Sequence, residues 1–257
     1  MIKKNVLITG ASSGIGRASA EMFAQNGVNR LILCGRREAL LKEEKAKLEK
    51  YCDITLLVFD IRIPEQVDAA VKQLGELAHH IDVLINNAGL AKGLDPIHEG
   101  KLEHWESMID TNVKGLLYIT RLISGFMVNR KSGHIINVCS TAGKEVYPKG
   151  NVYCATKFAV DALTKAIRMD LYPHNIRVSQ VAPGHVEQTE FALNRFDGDR
   201  EKANIYSDFT PLRAMDVAEI IYFIATRPAH VNVQDILVMS SQQASSTLID
   251  RSGRHFD

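Results

Sequence analysis

Short apolar runs alternate with longer amphipathic stretches along most of this chain. The runs are rich in Val, Leu and Ile and are typical of buried strands, whereas apolar residues three and four positions apart predict helices. The alternation predicts an α/β fold with a doubly wound parallel sheet, right-handed crossovers and helices on both faces. The predicted strands are residues 6–9, 31–35, 55–60, 83–86, 134–140, 177–182 and 235–239, and the predicted helices are residues 15–26, 38–51, 64–77, 105–130, 153–172 and 216–225.

Two segments fall outside this alternation. Residues 186–208 are polar, contain scattered aromatic residues and show weak patterning. Such a segment is typical of a lid that closes over a substrate pocket, although a plain surface excursion has the same pattern. Residues 242–257 form a C-terminal tail without an assigned element. Because no repeat or linker interrupts the rest, we expect one catalytic domain over residues 1–257.

The size and charge of the chain narrow the classes of partner. A chain of 257 residues and 28.6 kDa suits one domain with a substantial core. With 31 basic and 30 acidic residues, the charge gives no reason to expect a nucleic acid or an anionic membrane as partner. No apolar run has the length of a membrane span, and the first strand begins too early to leave room for a signal peptide. We therefore expect a cytoplasmic protein that acts on a small molecule.

The four cysteines are scattered along the chain. Cys34, Cys52, Cys139 and Cys154 have no spacing typical of a metal site, and three of them lie in or beside apolar segments. Buried free thiols are the better interpretation. The sequence therefore predicts neither a disulfide framework nor a metal site.

A glycine-rich turn follows the first predicted strand. The sequence Thr-Gly-Ala-Ser-Ser-Gly-Ile-Gly occupies residues 9–16, before an amphipathic stretch. Glycine permits backbone angles and close approaches that a Cβ would obstruct, and the N–H groups of a helix start attract a pyrophosphate. The turn alone is weak support, but its place at the start of a βαβ pattern predicts a Rossmann-type dinucleotide site. The residues predicted to hold the dinucleotide here are Gly10, Ser12, Ser13, Gly14, Ile15 and Gly16.

The end of the second predicted strand indicates which dinucleotide binds. An NAD site usually has an Asp or Glu there to hold the ribose hydroxyls, but this chain has Arg36 and Arg37. A guanidinium offers a planar, permanently charged fork for a 2′-phosphate, so the pair predicts NADP. Two arginines at a helix start are also common as solvated surface charge, and Glu38 follows them directly.

A tyrosine and a lysine, Tyr153 and Lys157, lie four residues apart. On a helix such residues project from the same face, so the ammonium would lie beside the phenol and lower its pKa toward neutrality. Ser140, at the end of a predicted strand, adds a hydroxyl that could reach the same substrate atom. The three residues predict proton-transfer chemistry, although the same spacing of Tyr and Lys is common on exposed helices.

Taken together, these motifs resemble the short-chain dehydrogenases/reductases of the single-domain kind. The resemblance covers nearly the whole chain and extends through the segment Asn86-Asn87-Ala88-Gly89 and the pair Pro183-Gly184 in order and spacing. It implies that Asn112, Ser140, Tyr153 and Lys157 form the catalytic tetrad. It also implies cofactor contacts from Asp60, Ile61, Asn87, Ala88, Gly89, Tyr153, Lys157, Pro183, Gly184, Val186 and Thr189.

Several less common segments narrow this resemblance. They include Gly150-Asn151-Val152-Tyr153, Thr189-Glu190-Phe191 and Arg195-Phe196. These segments resemble the NADP-dependent serine and 3-hydroxy acid dehydrogenases, also called L-allo-threonine dehydrogenases. The resemblance implies hydride transfer between NADP and the 3-hydroxyl carbon of serine, allo-threonine, 3-hydroxypropionate or a similar small acid. The chain departs from this subgroup at residues 144–146 and from residue 245 onward, beside places where substrate selection could change.

Each member of the tetrad has an expected role. Tyr153 is the base that takes the alcohol proton, and Ser140 donates a hydrogen bond to the substrate oxygen. By resemblance, Lys157 also binds the nicotinamide ribose, and Asn112 holds a water that connects Lys157 with solvent. We expect the substrate to contact Ser140 and Tyr153. Its carboxylate could face His185 or Arg195, and either of these could instead be a surface residue.

Two other functions fit parts of the pattern. The fold and the tetrad do not fix the substrate, so a reductase of a ketoacyl group or another ketone is an alternative. A regulator that senses NADP without turnover is a further alternative. Such a regulator would have little need of Ser140, Tyr153 and Lys157 together.

The helices predicted at 105–130 and 153–172 are apolar around much of their circumference. A helix that apolar must bury a second face besides the one that covers the sheet. The resemblance implies that four such helices meet at a two-fold axis, so we expect a homotetramer. The alternative is that the tail at 242–257 folds back and covers this surface in its own subunit.

Overall fold

Seven parallel strands form one sheet at the centre of the computed structural model, which describes residues 3–187, 189–204 and 208–254. The strands of the protein are β1 (Asn5–Thr9), β2 (Arg30–Gly35), β3 (Asp53–Val58), β4 (Val83–Asn86), β5 (Gly133–Val138), β6 (Ile176–Pro183), β7 (Val186–Glu187), β8 (Leu212–Arg213) and β9 (Asp235–Val238). The sheet order is β3-β2-β1-β4-β5-β6-β9, while β7 and β8 pair with each other. The strand order changes direction between β1 and β4, where a doubly wound sheet opens a crevice for a ligand. The predicted fold class is confirmed.

Helices cover both faces of the sheet. They are α1 (Gly14–Gln25), α2 (Glu38–Leu48), α3 (Pro64–Gln73), α4 (Leu102–Ile109), α5 (Leu116–Arg130), α6 (Asn151–Leu171), α7 (Phe191–Arg195), α8 (Arg200–Ala203) and α9 (Ala214–Thr226). One face carries α1, α2 and α9 around Phe23 and Ile221, and the other carries α3, α5 and α6 around Ile123 and Val178. Strands covered on both faces are apolar throughout, which explains the runs that predicted them. Within the described ranges, no helix is both long and apolar enough to cross a membrane.

The helix predicted at 105–130 is divided into three parts. After α4, a π-helical turn spans Asp110–Gly115, and α5 follows. The wide turn brings Gly115 so close to Ile61 that a Cβ on Gly115 would stand 2.9 Å from an Ile61 side-chain carbon. The prediction of one continuous helix was therefore wrong. Apolar periodicity does not distinguish a π turn from the α turns on either side of it, and π turns are frequent at functional sites.

Other boundaries differ from the predictions by a few residues. The helices predicted at 38–51 and 64–77 both end earlier than predicted. After the end of α3, Gly75 has a φ of 52° and begins a 3₁₀ turn. The strands β3 and β5 also end earlier than predicted. As a result, Asp60 and Ser140 lie in the turns that follow these strands, at the edge of the sheet where ligands bind.

The segment predicted as a lid, residues 186–208, contains α7 and α8, and its residues 188 and 205–207 lie outside the described part of the chain. The C-terminal end of α7 is tied to the loop after β4. Asp197 accepts from Lys92 Nζ at 2.6 Å and lies 3.3 Å from His104 Nε2. The Gly93 N–H donates to the Arg195 carbonyl oxygen at 2.9 Å. These contacts hold the C-terminal end of α7 against the body of the protein.

The described part of the tail, residues 242–254, packs against the same chain at the carboxyl edge of the sheet. Gln243 Oε1 accepts a hydrogen bond from the His185 N–H at 3.0 Å, and the Ser246 N–H donates to Glu145 Oε1 at 2.6 Å. Phe158 on α6 nevertheless remains 40% exposed. In the described chain, the tail therefore does not cover this apolar position of α6.

Candidate active site

A cavity of about 750 Å³ opens at the carboxyl ends of the central strands. Its volume lies in the usual range for ligand sites. The predicted site residues that line it are Gly10, Ser12, Ser13, Gly14, Ile15, Arg36, Arg37, Asp60, Ile61, Asn87, Ala88, Gly89, Ser140, Tyr153, Lys157, Pro183, Gly184, His185, Val186, Thr189 and Arg195. Gly16 and Asn112 lie behind this lining. The structure thus brings together residues from the whole length of the chain.

The glycine-rich turn forms one end of the cavity. A Cβ on Gly16 would stand 2.3 Å from the Gly10 carbonyl oxygen, so α1 can begin this close to β1 only with glycine at that position. Ser13 is the N-cap residue of α1, but its side chain makes no capping hydrogen bond. The first N–H groups of α1 are therefore available to an anion. This turn fits the pyrophosphate of a dinucleotide.

Arg37 is the arginine that reaches the glycine-rich turn. Its guanidinium donates to Ser12 Oγ at 3.1 and 3.3 Å and to Ser13 Oγ at 2.8 Å. Arg36 is more exposed and lies 3.7 Å from the Asp60 carboxylate. The prediction emphasised Arg36, whereas Arg37 makes the contacts with the turn. Both line the same part of the cavity, so two permanent cations are available there for a 2′-phosphate.

Asp60 lies beside this region with its carboxylate bound by Arg62. The Arg62 guanidinium donates to both carboxylate oxygens, at 2.6 to 3.0 Å. Burial alone would raise the pKa of Asp60, but the hydrogen bonds from Arg62 outweigh it and lower that pKa. Asp60 is therefore ionised and directed toward Arg62. Ile61 lies next to it in the cavity lining, where the family resemblance implies the adenine.

Tyr153 and Lys157 lie one turn apart near the start of α6, and Ser140 lies across from them. The Tyr153 side chain is buried beside the Ser140 side chain, whose Oγ accepts a hydrogen bond from the Ala142 N–H at 3.1 Å. Lys157 Nζ donates to the Val138 carbonyl oxygen at 3.0 Å and lies 6.0 Å from the centre of the Tyr153 ring. The three side chains that were predicted to act together therefore line one part of the cavity.

Burial dominates the acid–base properties of these groups. It raises the pKa of Tyr153 and lowers the pKa of Lys157. The nearby Ser140 side chain and the charge of Arg195 lower the Tyr153 pKa, but by less than burial raises it. The prediction that Lys157 brings the Tyr153 pKa toward neutrality was therefore wrong for the protein alone. A buried phenolate lacks the solvation that would stabilise its charge, and the nearby ammonium is itself desolvated.

Asn112 lies in the π turn, and hydrogen bonds of its side-chain amide hold it in place. Its Oδ1 accepts from the Leu90 N–H at 2.8 Å, and its Nδ2 donates to the Leu90 carbonyl oxygen at 2.9 Å and to Thr156 Oγ1 at 3.0 Å. Its Oδ1 and Lys157 Nζ both border the space beside the Gly89 α-carbon. Asn112 thus connects the loop after β4 with α6, directly behind the cavity.

Arg195 is a second buried cation of the cavity, besides Lys157. It is only 8% exposed, and its guanidinium carbon lies 5.3 Å from the centre of the Tyr153 ring. Its Nη2 donates to the Tyr147 hydroxyl at 2.5 Å, and its Nε donates to the Gly93 carbonyl oxygen at 3.4 Å. These partners are neutral, and no carboxylate of the described residues pairs with Arg195. Its positive charge can therefore bind a substrate anion.

His185, the other candidate for the substrate carboxylate, lines the cavity as well. Its ring makes an edge-to-face contact with Phe209, with 5.8 Å between the ring centroids. Burial lowers the pKa of the imidazole, so His185 is neutral near pH 7. A neutral imidazole binds an anion less strongly than a guanidinium does, which favours Arg195.

The cavity also contains side chains that the sequence did not single out as site residues. Five of them are Tyr147, Glu190, Phe191, Ser246 and Arg251. Glu190 and Phe191 lie in a segment that resembles the serine and 3-hydroxy acid dehydrogenases, but their sequence pattern predicts no role in the site. The other three belong to no recognised motif. Whether these side chains line the cavity depends on which distant segments pack together. A local sequence pattern does not indicate this packing.

Comparison with known proteins settles the family. The profile of the short chain dehydrogenase family matches residues 4–200. The chain belongs to this family. The predicted family, and with it the predicted class of enzyme, is confirmed.

Two relatives and one solved structure are similar to this short chain dehydrogenase over nearly its whole length. The NADP-dependent 3-hydroxy acid dehydrogenase YdfG of Salmonella typhi is 42% identical over 95% of this chain and 97% of that protein. Sulfoacetaldehyde reductase 2 of Chromohalobacter salexigens is 43% identical over 96% of this chain and 98% of that protein. The closed form of serine dehydrogenase complexed with NADP+ is 41% identical, covers 95% of this chain and 98% of its own, and has a TM-score of 0.89.

Proposed function

We propose that this short chain dehydrogenase transfers a hydride between NADP and the 3-hydroxyl carbon of a small 3-hydroxy acid. The observation that carries the proposal is the buried Arg195 guanidinium, 5.3 Å from the centre of the Tyr153 ring. A 3-hydroxy acid has its carboxylate and hydroxyl on carbons separated by one other carbon. A carboxylate bound to Arg195 would therefore leave the hydroxyl within reach of Tyr153. The 3-hydroxy acid and serine dehydrogenases that resemble this chain support the same substrate class.

The residues of the cavity fit NADP. The glycine-rich turn and the start of α1 would bind the pyrophosphate, while Arg36 and Arg37 would bind the 2′-phosphate. The segment 87–89, the pair Pro183-Gly184 and the residues Val186 and Thr189 line the cavity between the phosphate end and Tyr153. Bound NADP accepts the hydride from the alcohol carbon, and in the reverse direction NADPH donates it.

The catalytic roles follow from the placement of the side chains. Tyr153 takes the proton from the substrate hydroxyl, and Ser140, whose side chain lies beside Tyr153 in the cavity, stabilises the substrate oxygen. Lys157 adds a positive charge that opposes the effect of burial on the Tyr153 phenol once the site is assembled. Asn112 would hold a water beside Lys157, in the space bordered by Gly89, and this water would carry the proton from Lys157 to solvent.

A reductase of another anionic carbonyl compound is the second candidate. The sulfoacetaldehyde reductase of Chromohalobacter salexigens is as similar to this chain as the 3-hydroxy acid dehydrogenase is. A sulfonate and a carboxylate are both anions that a guanidinium binds. Arg195 would serve either substrate, and the choice between them depends on the remaining lining of the cavity.

A substrate panel tests the proposal. We expect NADP reduction, followed by absorbance of the reduced cofactor, with serine, allo-threonine and 3-hydroxypropionate, and little activity with neutral alcohols of the same length. NADPH oxidation with sulfoacetaldehyde is assayed in parallel. Higher kcat/KM for sulfoacetaldehyde than for every 3-hydroxy acid would favour the second candidate. Binding of NADPH without turnover of any substrate would favour a regulator.

We also propose a homotetramer assembled through α5 and α6. The apolar side chains of Leu117, Phe158 and Met169 on these helices are 39%, 40% and 72% exposed. Burial of such a surface against its own copy in a neighbouring subunit is favourable. The same packing would hold Asn112, before α5, in register with Tyr153 on α6.

Light scattering at micromolar concentration measures the assembly. We expect the mass of four subunits for the wild type and a smaller species for Phe158→Asp, because the new charge would be buried in the interface. The matched control Tyr51→Asp changes an exposed aromatic residue at the end of α2 and should leave the mass unchanged. A fully active wild-type species with the mass of one subunit would contradict the tetramer.

Two further proposals concern the domain organisation of the protein and its cellular compartment. We infer one catalytic domain in which residues 186–208 act as a lid and residues 242–257 form a C-terminal tail. Ser246 and Arg251, in the described part of this tail, line the cavity. The lid proposal rests on the position of Arg195 between the cavity and the loop after β4. All four cysteines are free thiols, which favours a reducing compartment such as the cytoplasm.

A further inference from the structure

Glu190, the N-cap residue of α7, extends from the lid to the cofactor end of the cavity. Its carboxylate contacts Arg37 Nη1 through both oxygens, at 2.8 Å for Oε1 and 2.7 Å for Oε2. The other edge of the same guanidinium, Nε and Nη2, is directed at Ser12 and Ser13. One arginine side chain therefore links the lid with the glycine-rich turn.

The contact between Arg37 and Glu190 is an ion pair, and a ligand in the cavity can reach it. The hydrogen bond from Arg37 lowers the pKa of Glu190, so the carboxylate is ionised at neutral pH. Both side chains are a little less than half exposed, and both line the cavity next to Arg36. A dinucleotide phosphate that reaches Arg37 would therefore meet a fixed negative charge on the same guanidinium.

We propose that Glu190 sets cofactor selectivity by competing with the 2′-phosphate for Arg37. The inference rests on the proposed function, in which Arg36 and Arg37 bind the 2′-phosphate of NADP. A carboxylate and a phosphate are both acceptors for the guanidinium fork, and like charges placed side by side repel. Glu190 therefore weakens NADP binding and leaves NAD, which has no 2′-phosphate, unaffected.

The opposite role would be that Glu190 orients Arg37 toward the phosphate. The hydrogen bonds to Ser12 and Ser13 argue against this, because they already fix the guanidinium without Glu190. Removal of the Glu190 carboxylate should therefore change the orientation of the Arg37 guanidinium little. It should also relieve the repulsion between the carboxylate and the 2′-phosphate. The two roles predict changes of opposite sign in NADPH affinity.

A binding experiment on the full-length protein distinguishes them. We expect Glu190→Gln to bind NADPH about fivefold more tightly, which is the size of one partly exposed charge interaction, with NADH affinity unchanged. The dissociation constants are measured by fluorescence of the reduced cofactors, without substrate. Glu187→Gln is the matched control, since Glu187 lies in the same segment, in β7, but its carboxylate is 3.9 Å from Arg213 instead. It should change neither constant.

A second pair of variants isolates the contact. In the background Arg37→Met, Glu190→Gln should no longer tighten NADPH binding, because the shared guanidinium is gone. Weaker or unchanged NADPH binding in Glu190→Gln would overturn the inference, and so would an equal change for NADH. Glu190→Ala should shift NADPH affinity in the same direction as Glu190→Gln. If the wild type does not prefer NADPH over NADH, the proposed function fails instead, so the two failures are distinguishable.

Discussion

The Tyr153→Phe variant is expected to lose between about a hundredfold and about ten-thousandfold in kcat, the range that a general acid–base group contributes. The substitution keeps the buried ring but removes the hydroxyl that would take the substrate proton. Ser140 keeps the hydrogen bond that its Oγ accepts from the Ala142 N–H at 3.1 Å, so the variant removes the phenol hydroxyl without freeing the serine. Initial rates with NADP and the best 3-hydroxy acid of the panel measure the loss.

Two controls separate this loss from a folding defect. NADPH should bind Tyr153→Phe with nearly the wild-type dissociation constant, because the phenol hydroxyl does not contribute to the phosphate end of the cavity. Tyr172→Phe, at an exposed tyrosine just after α6, should keep the wild-type kcat. A Tyr153→Phe enzyme that turns over within a few-fold of the wild type would show that another group moves the proton.

The Arg195→Met variant is expected to raise KM for 3-hydroxy acids roughly ten- to a hundredfold, the value of a hydrogen bond to a charged group. Methionine fills much of the same buried volume but cannot pair with a carboxylate. A second effect concerns Tyr153, whose pKa Arg195 lowers. Without that charge the Tyr153 pKa rises, so the alkaline rise in the rate of alcohol oxidation should move to higher pH.

The specificity of the Arg195 effect is tested with substrates and with a second arginine. For a neutral ester of the same 3-hydroxy acid, kcat/KM should change only a few-fold in Arg195→Met, since no carboxylate is present. Arg200→Met, at an exposed arginine of α8, should leave both substrates unaffected. Equal losses for the acid and its ester would mean that Arg195 supports the lid but does not bind the substrate anion.

The fold and the proposed proton-transfer groups could be predicted because their signals are local. The sheet strands are apolar runs, and the helices that follow them repeat apolar residues at helical spacing. The glycine-rich turn is contiguous, and Tyr153 and Lys157 are neighbours on α6 through helix geometry alone. The π turn around Asn112 was not predicted, because the packing of Gly115 on Ile61 and the amide bonds to Leu90 belong to distant segments.

Signals within short segments predicted the strands and helices of the doubly wound sheet, the glycine-rich turn, the pair of arginines and the neighbouring Tyr153 and Lys157. The electrostatics of the site could not be predicted in this way. Arg37 meets Glu190 across 153 positions, and Arg195 meets Tyr147 across 48. The high pKa of Tyr153 likewise results from burial, which is a property of the packed molecule. Contacts between distant segments and the loss of solvent exist only after folding, so no local pattern contains them.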